Sequence, residues 1–129
     1  MSFKNEEFFK VKYYAYGATG SGASASDAAS IADSDVMKLE AGVVIENVEV
    51  LVTTSIAGAT QLDVGDDDDQ NGFVAAATLS AGNPVVGAGA YLTGGAKKYY
   101  SAAGKEVKVD VTGTASAGAF VVKVKGYKV

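Results

Sequence analysis

Residues 118–129 read GAFVVKVKGYKV, and their apolar period is two. Phe120, Val122 and Val124 fall on one side, Lys123 and Lys125 on the other. Successive side chains of an extended chain point to opposite faces, so the pattern specifies a strand with one dry and one wet face. The same reading holds upstream. In KEVKVDV, 105–111, Val107, Val109 and Val111 alternate with Glu106, Lys108 and Asp110. IENVEVLV, 45–52, sets Val48, Val50 and Val52 opposite Glu49, and TQLDVG, 60–65, points Leu62 and Val64 inward. VMKLEAG, 36–42, is a shorter version with Met37 and Leu39 inward. FFKVKYYAY, 8–16, is a strand with Phe9, Val11 and Tyr13 on one side. Gly, Asn-Pro and Gly-Gly break these runs at short intervals, the rhythm of an all-β sandwich. The most helix-permissive stretches are SASDAASIADSD, 24–35, and GFVAAATL, 72–79; both are short, and the second reads equally as a turn between strands.

Residues 17–34 are rich in Gly, Ala and Ser and have little to bury, so they read as a loose connection. They divide the chain into an N-terminal strand or arm with its connection, 1–34, and a β-sandwich domain, 35–129. The first piece is too small to hold a core of its own. Its strand either reaches another subunit or adds an edge to its own sheet, and the sequence leaves both open.

The 129 residues include 48% apolar side chains, enough for one well-buried domain. Histidine, cysteine and tryptophan are all absent, and every one of the 11 basic residues is a lysine. Soft metal sites for zinc, copper or iron–sulfur clusters are therefore excluded, as are the thiolate nucleophile and the usual acid–base residue near neutral pH. A formal charge of -4 without arginine argues against nucleic acid. No apolar run approaches the ~20 residues of a membrane span, and the charged start MSFKNEEFFKVKYY has no secretory h-region. The expectation is a protein made in the cytoplasm, with no membrane partner and no cofactor.

QLDVGDDDDQNGFV, 61–74, contains four consecutive aspartates. Asp67, Asp69, Asn71 and Gly72 match the first half of an EF-hand loop, but the twelfth position, which needs a bidentate glutamate, is Thr78. A weaker hard-cation site at Asp67, Asp69 and Asn71 stays open; the expected reading is a solvated turn without metal, because adjacent carboxylates repel one another. GATGSG, 17–22, lacks a P-loop lysine and reads as a flexible loop. For a carboxylate-based hydrolase the strand-borne acids are Glu46, Glu49 and Asp63, with nothing in the sequence to pair them. Tyrosine pairs at 13–14 and 99–100 put one ring on each strand face, so one ring of each pair meets solvent, another sheet or a partner.

From about Val44 onward the order of elements resembles the small β-sandwich proteins that decorate the heads of tailed bacteriophages, also called cement proteins. The features that carry the resemblance are a V-x-V strand, TQLDVGD, GFVAA, the KYY before a polar strand, and a closing VTGTASAGAFVVKV hairpin. It implies a jelly-roll-like antiparallel β-sandwich and a homotrimer on the outer surface of the virion. There it would bind the major capsid protein between capsomers and stabilise the shell. Under it, Phe8, Phe9, Val11, Tyr13 and Tyr14 are the expected contacts with the capsid or a neighbouring subunit. A carbohydrate-binding β-sandwich or fibre-tip module is the alternative, with exposed aromatics and a calcium at Asp66 to Asp69.

Overall fold

The computed structural model describes residues 6–16, 23–24, 38–82 and 84–129; for 6, 8, 12, 14–16, 23–24 and 113–115, Phe8 and Tyr14 among them, the backbone alone is described. The elements are β1 (Glu6–Tyr16), β2 (Ala23–Ser24), β3 (Val43–Gly65), β4 (Val85–Val86), a 3₁₀ turn (Thr93–Gly95), β5 (Lys98–Tyr100) and β6 (Lys108–Lys128). Every strand pairing is antiparallel. No α-helix occurs among the described residues, and none is long and apolar enough to cross a membrane. Most of the connection at 17–34, and Met37, lie outside the described residues.

Two long strands make the fold. β3 and β6 form one ladder running from Val43 opposite Lys128 to Gly65 opposite Lys108. The four shorter strands read from the sequence are therefore fused in pairs, and 111–124 is not a hairpin but one strand that bends. The 23 residues of β3 would stretch roughly 75 Å if straight. Instead the ladder slips register repeatedly between Val52 and Gln61, opposite the small residues 113–119 of β6. Gly118 shows why those residues are small: its φ is +126°, and a Cβ there would lie 2.7 Å from the Ile56 Cα.

Because the ladder folds over, the inner faces of its two halves meet in one core. Val48, Val50 and Val52 from the first half, and Leu62 and Val64 from the second, are buried together with Val109, Val111, Phe120, Val122 and Val124 of β6. Val107, Val109, Val111, Val122 and Val124 are buried as their alternation requires, and so is Leu39. The result is an all-β sandwich, jelly-roll-like in that a long pair wraps around its own core.

Both edges of the ladder are covered. β1 lies along β6 over its whole length, Glu6 opposite Lys128 through Tyr16 opposite Gly118, so this strand is an edge of its own sheet. On the other side the segment after the aspartates runs back along β3. Ala77 donates to the Leu62 carbonyl, Ile56 to Leu79, Gly82 to Val52 and Gly87 to Val48, each through the backbone amide. This segment includes 72–79, where no helix forms. The amides of Phe73 and Val74 both donate to the Val64 carbonyl, which pins the backbone to the sheet and inserts both side chains into the core. Burying Phe73 is worth about 2–3 kcal/mol, more than the helix propensity of three alanines.

Candidate interface and the aspartate turn

The aspartate run is not uniformly solvated. Asp66 is 1% exposed, whereas Asp67 and Asp68 lie in water. The Asp66 carboxylate accepts from the amides of Asp68 (3.0 Å) and Asp69 (2.9 Å), closing the turn on itself. It also accepts from the Tyr91 hydroxyl at 2.9 Å and the Tyr100 hydroxyl at 2.6 Å. Burial pushes its pKa up, but the bonds from Tyr100, the Asp69 amide, Tyr91 and the Asp68 amide outweigh it and hold the carboxyl below the ordinary aspartate value. Burial, then the bond to Asp66, raises both phenols well above the tyrosine range. Asp66 is thus a charged knot tying the turn to two distant segments. The expectation of a wholly solvated turn fails there because four donors replace the lost water.

Tyr91 is held from three sides. Its ring meets Phe73 edge-on at 5.2 Å between centroids, and the Lys98 ammonium stands 4.4 Å from its centre. A Cβ on Gly72 would come within 2.5 Å of the same ring. Tyr100 is buried while its neighbour Tyr99 is half-exposed, the split that the paired tyrosines predict.

Asp67, Asp69 and Asn71 line an open concavity of about 540 Å³ with Gln61, Asp63 and Asp110 among its other walls. The residues do not close on a single point. Asp67 pairs with Lys108 at 2.6 Å, and the Asn71 amide donates to Asp69. Among the described residues no cluster of three or more carboxylates is arranged to hold a metal ion. Asp63 is buried, with its oxygens taken by the Ala76 amide at 2.7 Å and the Gln61 side chain at 2.8 Å. The first of these bonds steadies Ala76 at φ +54°, a backbone conformation rare for alanine. Glu46 and Glu49 are not in this lining, so the three strand-borne acids do not share a cleft there.

The outward face of the first half of the ladder differs in character. Phe9, Val11 and Tyr13 of β1 lie beside Lys125, Lys123 and Val121 of β6. These in turn oppose Asn47, Glu49 and Leu51 of β3. Phe9 is 61% exposed and Tyr13 50% exposed, unusual for two aromatic rings on the same face of one strand. Among the described residues the ion pairs are Lys105–Asp68, Lys108–Asp67 and Lys128–Glu40, so Lys123, Lys125, Glu7 and Glu49 enter none of them.

No protein-family model matches the chain, and no curated protein matches its sequence. Two solved structures do match its fold. A chain of the cyanophage Pam1 capsid asymmetric unit aligns with 100% of this chain and 89% of its own, with a TM-score of 0.67 at 19% identity. A chain of the acidic stable capsid structure of Helicobacter pylori bacteriophage KHP30 aligns over 95% and 87%, with a TM-score of 0.64 at 13% identity. At such low identity it is the fold that is shared, and it is shared along essentially the whole length of this chain with chains found in phage capsids.

Proposed function

We propose that this chain is a structural protein of a phage head. On this reading it is a decoration, or cement, protein that binds the outer surface between capsomers as a homotrimer and stabilises the shell. The observation that carries the proposal is the end-to-end fold likeness to chains of two phage capsids. A chemistry-poor inventory without histidine or cysteine supports it, because holding a particle together requires contact area rather than a reactive group. Many identical copies on one lattice turn weak contacts into firm attachment. The major capsid protein is the partner in this reading. Phe8, Phe9, Val11, Tyr13 and Tyr14 of β1 are the contact segment with the capsid or a neighbouring subunit, favoured by the exposure of Phe9 and Tyr13. The carbohydrate reading draws less support, since the acidic concavity is walled by acids, amides and a threonine with no aromatic ring to stack on a sugar.

The test is sedimentation of the purified protein with phage heads that lack it, followed by heating the heads with and without it. Bound protein at a fixed ratio to capsid subunits, and heads that survive a higher temperature, are expected. A protein that stays in the supernatant at every salt concentration sinks the proposal.

A further inference from the structure

We infer that the outward face of β1, β6 and the first half of β3 is where a second copy of this chain docks. The inference deepens the self-assembly part of the proposed function and rests on it. The two outer faces of the sandwich differ in electrostatic character. The face around the aspartate turn carries Asp63, Asp67, Asp68, Asp69 and Asp110, and Lys105 and Lys108 are already engaged there. Two such faces repel.

The other face carries both signs. Lys123 and Lys125 stand in its middle strand, with Glu7 on β1 to one side and Glu49 on β3 to the other. Among the described residues none of these four enters an ion pair within its own chain. With acids on its flanking strands and lysines between them, the acidic flank of one copy can meet the lysine strand of the next, a head-to-tail contact that closes into a ring of three, which a surface of one sign cannot make. Phe9 and Tyr13 supply the apolar anchors between those charges, large rings at low entropy cost.

Sedimentation equilibrium over a range of protein concentrations tests this without any capsid. The wild type is expected as an oligomer, and the Phe9→Ser/Tyr13→Ser variant should associate about a hundredfold more weakly or worse. Lys123→Glu/Lys125→Glu and Glu7→Lys/Glu49→Lys should each be monomeric alone and associate when mixed. Asp67→Asn/Asp68→Asn on the opposite face should leave association unchanged. All the substituted side chains reach solvent, and unchanged far-ultraviolet dichroism and melting temperature confirm that each variant folds. An oligomer indifferent to these β1 and β6 changes, or one broken by the Asp67/Asp68 variant, overturns the inference and leaves the assembly reading standing. A wild type that is monomeric throughout overturns both, while the shell-binding experiment above is decided separately.

Discussion

The Tyr100 hydroxyl donates a 2.6 Å hydrogen bond to Oδ2 of Asp66, joining the strand that follows the 3₁₀ turn to the first residue of the aspartate run. Both groups are buried, and a hydrogen bond to a buried charge contributes more than one between neutral partners. Tyr100→Phe should therefore lower stability by about 1.5–3 kcal/mol. Asp66→Ala, which orphans two phenols and two amides, should cost about 2–4 kcal/mol. Denaturant midpoints at unchanged slope measure both.

The same carboxylate gives the protein an acid limb. Its folded pKa lies below the unfolded value of about 3.9, so the folded state prefers the ionised form. That contribution is complete above the unfolded pKa and is lost as pH falls through the lower folded one. Asp66→Asn should flatten the decline of melting temperature below about pH 4 while lowering it at pH 7.

At the alkaline end the sign reverses. Tyr91 and Tyr100 have folded pKa values raised by burial and by Asp66, so folding favours their neutral forms. Stability from them is complete below the unfolded tyrosine pKa of about 10 and falls as pH climbs past it. Absorbance of tyrosinate should show two rings that titrate only when the protein unfolds, and one fewer in Tyr100→Phe.

Gly72→Ala should be destabilising by about 1–3 kcal/mol, because the new methyl would sit 2.5 Å from the Tyr91 ring. Gly82→Ala is the matched control. Its Cβ meets nothing within 4 Å, and the change should stay within about 0.5 kcal/mol. Thermal melts of the two variants side by side test the contrast.

Asp63 and Asp110 stand directly opposite each other across the β3–β6 ladder. Like charges in that position oppose folding, so Asp110→Asn should raise stability by about 0.2–1 kcal/mol. The gain should shrink at high salt, where screening already softens the repulsion.

The strands were legible because alternation is a local property. Val107, Val109 and Val111 announce their burial within seven residues, as do Val48, Val50 and Val52. The bends were not, because Gly and Ala at 113–119 look alike whether a chain reverses or merely curves. Only the long-range register of β3 against β6 decides between those outcomes. The role of Asp66 was hidden for a related reason. Four adjacent aspartates look equivalent, and nothing local says that the first will find Tyr91 and Tyr100, 25 and 34 positions away. The exposed Phe9 and Tyr13 were visible as one side of a strand, but whether that side met core or water depended on which face of β6 received it.

A ladder whose ends join Val43 to Lys128 and Gly65 to Lys108 contains almost no contact between near neighbours in sequence. The intervening chain must be looped and its entropy surrendered before the first pair of the ladder is rewarded. Refolding should therefore be slow for a domain of this length, on the order of milliseconds to seconds. Until β6 arrives, β3 waits with a row of bare valines, and it is in this interval that newly made chains are most prone to clump.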